Sequence, residues 1–206
     1  MSGENEDLPA RPPLERASLL ALTGAKLLVH LLLANRYGYF RDELYFLDCG
    51  RHLDWGYVDH APLIGLVAKA ALLLGGSLPA LRFFPAVAGA AVVALTILLA
   101  REIGGGRYAQ SLAGLAVLIV PIYLGIDSIL SMNAFEPLFW MGAVYVLARI
   151  LRTGNSRLWI AFGALVELVA VDLLVPWELL GSFAWLRMAV LLASAYGIIW
   201  IALWMV

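Results

Sequence analysis

The sequence predicts an all-α, polytopic transmembrane helical bundle of about six spans, with interfacial helices in the first outward loop. Three observations predict it: too much apolar content for a soluble domain, apolar stretches of membrane-crossing length, and arginines confined largely to alternate connections. Of the 206 residues, 63% are hydrophobic and 14% charged. Soluble domains carry roughly 45–50% apolar and about 25% charged residues. A soluble fold of this size could not bury the excess, so lipid must solvate part of it. The formal net charge of −1 excludes a bulk basic field for nucleic acid. Cys49 is the only cysteine, which excludes an internal disulfide and a Cys-rich zinc site.

Residues 1–16 read as a disordered cytoplasmic tail, polar and Pro-rich, without the pattern of a secretory signal peptide. Crossing roughly 30 Å of hydrocarbon takes about 20 helical residues. The stretches that meet this are Ala17–Leu33, Ala80–Leu99, Ala109–Ile126, Met132–Leu151, Leu158–Val175 and Phe183–Trp204. Leu63–Leu78 is apolar but short, contains Lys69 and ends in Gly75-Gly76, so it reads as a helix lying at the interface. Arg101 and Arg107 fall between the second and third spans, and Arg149, Arg152 and Arg157 between the fourth and fifth. The connections Gly125–Ser131 and Asp172–Ser182 hold no Lys or Arg. Positive residues favour the cytoplasm, so both termini are expected inside and the loop Arg36–Pro62 outside. That loop breaks the rule with Arg36, Arg41 and Arg51, but Asp42, Glu43, Asp48, Asp54 and Asp59 accompany them.

The outward loop carries most of the candidate chemistry. Leu44, Leu47 and Leu53, with Phe46, fit a short amphipathic helix, and Tyr37, Tyr39, Phe40, Tyr45, Trp55 and Tyr57 suit the interfacial aromatic belt. Asp42-Glu43 follows the first span directly. A carboxylate there either faces a cavity, where partial desolvation and its neighbour favour general-base chemistry, or is a solvated acid bridged to Arg41 or Arg36. Asp59-His60-Ala61-Pro62 could supply metal ligands together with Glu43 or His52, or Asp59 could cap the turn or helix that Pro62 starts. Glu136, in the first turns of the fourth span, is a functional candidate by its position, or a carboxylate favoured by a helix N-terminus. Asp127 has the same two readings and is expected to be the more exposed. Arg82 could hold an anionic phosphate or snorkel and pair with a loop acid. Lys26 is expected to snorkel, His30 to pack and Glu167 to pair inside the bundle.

Tyr39-Phe-Arg-Asp-Glu-Leu-Tyr45, Asp59-His-Ala-Pro-Leu63, Leu81-Arg-Phe-Phe-Pro-Ala86, Ala100-Arg-Glu-Ile-Gly-Gly105 and Ser131-Met-Asn-Ala-Phe-Glu-Pro137 occur in order and at set places relative to the spans. In this the chain resembles the GT-C polyprenyl-phosphate-sugar glycosyltransferases, nearest to glycosyltransferase family 39 and its bacterial relatives with the RgtA/B/C/D-like domain. The resemblance implies inverting transfer of a sugar from a lipid-phosphate carrier to an extracytoplasmic acceptor, in a bacterial plasma membrane. It implies Asp42 as general base with Glu43 beside it, and Glu136 as a second acid at the substrate. Arg82, Lys69 or a divalent metal, for which Asp59 and His60 are the ligands to consider, would meet the leaving phosphate. Family members are typically more than twice this length, and the similarity fades near Gly163. Residues 17–163 therefore read as a GT-C-like N-terminal membrane module and 164–206 as divergent transmembrane segments. The rival expectation is a non-enzymatic membrane protein, a truncated relative or partner subunit.

Overall fold

The structure, a computed structural model, describes residues 11–57 and 59–174, with side chains described as far as Leu168. The described elements are helical: α1 (Arg16–Leu33), α2 (Arg41–Arg51), α3 (Pro62–Leu73), α4 (Leu78–Glu102), α5 (Arg107–Ile119), α6 (Pro121–Ile126), α7 (Glu136–Thr153) and α8 (Leu158–Leu174), with a 3-10 turn at Met132–Ala134. The helical membrane bundle expected from composition is thus the architecture found. Arg16–Leu33, Leu78–Glu102 and Met132–Thr153 are long and apolar enough to cross a membrane. They coincide with the first, second and fourth expected spans.

Helix α4 is the axis of the bundle and packs against α1, α5 and α7. Ser77 caps it, its hydroxyl accepting from Ala80 N at 3.3 Å, and Pro79 sits in the first turn where no amide donor is needed. Its buried residues include Ala86, Ala88, Gly89 and Ala90, whose small size lets neighbouring backbones approach closely. Leu20 and Leu32 on α1, and Leu151 on α7, remain exposed, as lipid-facing residues do. A second cluster lies at one end of the bundle. There Phe46 and Leu47 of α2, Ile64, Ala68 and Ala71 of α3, Leu81 of α4 and Leu130 pack together. Gly50 is required in that contact, because a Cβ would stand 2.8 Å from Lys69 N on α3.

Two expectations change and a third is kept. The third expected span is two helices: Val120 is extended (ψ 122°) and Pro121 starts α6. The residue before a proline avoids the α region, and the apolar run masked that break. The short apolar segment after the loop is α3, whose 12 residues reach roughly 18 Å and do not cross, as expected of it. The tail, where it is described, is tied down rather than disordered. Pro12 O accepts from Arg101 Nε at 2.9 Å, Pro13 O from Gln110 Nε2 at 3.1 Å, and Glu15 N donates to Gln110 Oε1 at 2.9 Å. The fifth span is α8, of 17 residues. The sixth, Phe183–Trp204, lies outside the described residues.

Candidate active site

The loop after α1 turns back through residues 34–40 into α2, whose first turn carries Asp42 and Glu43. Carboxylates are favoured at a helix N-terminus, where backbone amides lack partners. Glu43 fills that role: its Oε2 accepts from Phe40 N at 2.9 Å. Its side chain is fully buried and meets Arg82, from the first turns of α4, in a two-pronged pair. Arg82 Nε donates to Oε1 at 2.9 Å and Nη2 to Oε2 at 2.8 Å. Leu130 N adds a fourth donor, to Oε1 at 3.1 Å. Glu43 thus accepts four hydrogen bonds, about the capacity of a carboxylate.

Arg82 is equally engaged. Nη1 donates to Ala34 O at 2.8 Å and Tyr37 O at 3.2 Å, and Nη2 donates also to Gly38 O at 2.8 Å. All five guanidinium donors have partners within the protein. The expectation that Arg82 holds a substrate phosphate is corrected by this geometry, since no donor remains. The expectation that Glu43 shares the chemistry with Asp42 changes for the same reason. Together the pair locks the 34–38 turn, the start of α2, the start of α4 and the segment at Leu130.

Asp42 is what that lock leaves facing outward. Its side chain is 42% exposed and accepts from Arg41 Nε at 3.0 Å. It lines a cavity of about 550 Å³ with Ile122, Gly125, Ile126 and Asn133. Glu136 lines an adjoining cavity of about 640 Å³ with Tyr123 and Trp140. Ile122, Ile126 and Asn133 belong to both walls. Glu136 has no ion-pair partner among the described residues. A third cavity of about 610 Å³, lined by His30 and Ser128, shares Phe40 and Ile129 with that of Asp42. Asp42 therefore stands at the middle of three adjoining hollows. Asn133 escaped notice as a site residue although it lies within the Ser131–Pro137 motif; nothing in the sequence says that its amide borders both acids.

The wall shared by the two acidic cavities is α6, and a buried ion pair holds it. Lys26 Nζ stands 2.8 Å from Asp127 Oδ2 and donates to Tyr123 O at 2.9 Å, with both side chains almost fully buried. Lys26 does not snorkel and Asp127 is not exposed. The two are distant in sequence, so each had been placed as an isolated charge. Gly89 on α4 makes room for them: a Cβ there would overlap Asp127 and crowd Lys26 Cε. His30 is buried as expected, but its Nε2 has no hydrogen-bond partner among the described residues. Glu167 Oε1 likewise has none, so the pairing expected of it is not found there.

Asp59 and His60 do not assemble a metal centre. Among the described residues no three His, Cys, Asp or Glu side chains gather that could hold a metal ion. His60 is fully buried, packed against the rings of Tyr45, Phe46 and Tyr57. Its Nδ1 lies 2.9 Å from Ala61 O; a carbonyl only accepts, so Nδ1 carries the proton. Nε2 is then left to accept from the Cys49 thiol, 3.9 Å away. Asp59 accepts from Tyr45 OH at 2.8 Å and does not cap α3, although Pro62 does start that helix. Burial, then the bond to Asp59, pushes the Tyr45 hydroxyl up, and burial pushes the Cys49 thiol up. This is an inert packed cluster under the loop. Lys69, on α3, has no carboxylate within ion-pair distance among the described residues and borders none of the three cavities.

The family model described as dolichyl-phosphate-mannose-protein mannosyltransferase matches residues 59–171, more than half of the chain. The matched range contains Lys69, Arg82, Asp127 and Glu136 and begins after Asp42 and Glu43. Neither a curated protein nor a solved structure matches.

Proposed function

This chain belongs to the dolichyl-phosphate-mannose-protein mannosyltransferase family, a membrane group of the GT-C kind, and on that premise we propose that it transfers a sugar from a polyprenyl-phosphate carrier to an acceptor hydroxyl, with Asp42 as general base. The observation that carries the reading is the placing of Asp42. It is half-exposed on a cavity that adjoins that of Glu136, on a helix turn fixed from behind by Glu43 and Arg82. A general base must reach the proton it removes and keep its geometry while doing so.

In the proposed reaction the acceptor hydroxyl gives its proton to Asp42 while its oxygen attacks the anomeric carbon. The bond from that carbon to the carrier phosphate breaks on the opposite face, which inverts the centre and releases polyprenyl phosphate. Glu136, uncommitted and beside Asn133, is placed to accept hydrogen bonds from sugar or acceptor hydroxyls. The leaving phosphate needs a cation, and Arg82 is not it. Arg41, already on Asp42 and largely exposed, is the cation nearest the base. Lys69 would have to reach the site from α3. The arginine bias supports an extracytoplasmic Asp42 cavity, with the C-terminal end of α4 on the cytoplasmic side.

The test is Asp42→Asn in the membrane-inserted protein. Transfer from a polyprenyl-phosphate sugar should fall by about 10²–10⁴, the usual contribution of a general base, while membrane insertion is unchanged. Wild-type transfer rates in that variant would reject Asp42 as base.

A further inference from the structure

We propose that Trp140 is the platform on which the donor's sugar lies, and that the cavity it shares with Glu136 belongs to the donor and not to the acceptor. The inference rests on the sugar-transfer reading above and gives one of its two substrates a place. Glu136 and Trp140 are four residues apart on α7, so they lie one turn apart on the same side of the helix. Both line the cavity of about 640 Å³, as do Asn133 from the 3-10 turn and Tyr123 from α6. Trp140 is 48% exposed, so core packing does not use up its indole. Trp159 packs edge-on against Phe162, whereas Trp140 has no ring partner among the described residues.

An open ring, a carboxylate and an amide around one hollow are the complement of a sugar. One face of a pyranose presents C–H groups, whose partial positive charge suits the electron-rich face of an indole. The hydroxyls on its rim donate to a carboxylate and exchange hydrogen bonds with an amide. A tryptophan that only anchors a helix at the membrane interface needs neither polar group in its hollow. The far end of the cavity tells donor from acceptor. It is lined by Leu99 of α4 and by Val144, eight residues beyond Glu136 on α7 and roughly 12 Å along it at 1.5 Å per residue. Both belong to helices long and apolar enough to cross a membrane. A polar, aromatic mouth that continues into an apolar groove matches a sugar joined through phosphate to an isoprenoid chain. The cavity of Asp42 is walled, among the described residues, by the start of α2, by α6 and by the segment between α6 and α7. It draws no residue from α4 or α7, which leaves it to the acceptor hydroxyl beside the base.

The experiment measures binding, not turnover, on the purified full chain in mild detergent. Undecaprenyl phosphate, and the same carrier bearing mannose or glucose, are titrated in, with bound lipid read by native mass spectrometry. Wild type should hold at least one sugar-bearing carrier about fivefold more tightly than the bare carrier. Trp140→Leu should remove most of that preference, and Trp140→Phe, which restores a ring face, should keep most of it. All three proteins should bind the bare carrier alike, which also reports an intact fold. No preference in wild type, or a preference that survives Trp140→Leu, would overturn the proposal. An equal loss of bare and sugar-bearing carrier in Trp140→Leu would overturn it too, since the ring would then serve the chain and not the sugar. Transfer by Asp42→Asn is scored separately, so the base assignment and the sugar platform can each fail without the other.

Discussion

Each end of α4 sets a buried glutamate against arginine, and the two ends are built differently. At the first, Glu43 meets one arginine, and both are saturated: four acceptors filled on the carboxylate, five donors filled on Arg82. At the other, Glu102 serves Arg11 and Arg149 together, and both of those arginines reach solvent. Saturation makes a fixed point. It holds four chain segments in register and leaves Asp42, the residue before Glu43, half-exposed on its cavity. A carboxylate shared between two solvent-reaching arginines makes a looser join. A buried ion pair does not in itself announce function; whether its donors and acceptors are used up says which kind of role remains.

The same substitution at each end separates the two designs. Glu43→Gln should be the most damaging. The amide must turn a donor toward Arg82 or Leu130 N, leaving a guanidinium almost fully buried without its counter-charge. Breaking such a pair costs about 3–5 kcal/mol, measurable as loss of the cooperative unfolding transition of the solubilised protein. Replacing both partners, Glu43→Leu with Arg82→Met, often restores stability to an isolated buried pair. Here it should not, because Phe40 N, Leu130 N and the carbonyls of Ala34, Tyr37 and Gly38 would all lose partners. Recovery in the double variant would show that the pair acts alone and that its backbone bonds contribute little.

Gly89→Ala tests whether the saturated design extends along α4 to Lys26 and Asp127. The added methyl would overlap Asp127 and must displace either the pair or α6. Overpacking of this kind costs about 1–3 kcal/mol. Since α6 walls both acidic cavities, sugar transfer should fall by more than the loss of folded protein accounts for. An equal fall in both would mean that α6 does not shape the site.

How much of this the sequence carried depends on the range of the interaction. Composition and apolar run length reveal the helical bundle and three of its long helices because those signals are local. The break at Val120-Pro121 is local as well, but an unbroken apolar run outweighed one proline. Asp42 and Glu43 are adjacent, so the sequence singled them out together; what separates their roles is Arg82, 39 residues away, meeting one and not the other. Lys26 with Asp127, and Arg11 with Glu102 and Arg149, are brought together only by packing of α1, α4 and α7. Their charges are visible in the sequence, but a partner cannot be read from a position along the chain. Nothing in the sequence singles out Glu102, one acid at the end of an apolar run among arginines that topology already explains.

The smallest effect is expected where the Glu43 end would have predicted a large one. Glu102→Gln also removes the charge of a buried carboxylate, yet the side chains that lose it, Arg11 and Arg149, are 27% and 35% exposed and can hydrate. The amide oxygen still accepts a hydrogen bond. The loss in neutral detergent should be about 1 kcal/mol or less, the range of solvent-reaching pairs. Unfolding midpoints of wild type and Glu102→Gln, taken in neutral detergent, decide this. A loss as large as that of Glu43→Gln would mean that Glu102 is a second fixed point and that the two ends of α4 are alike.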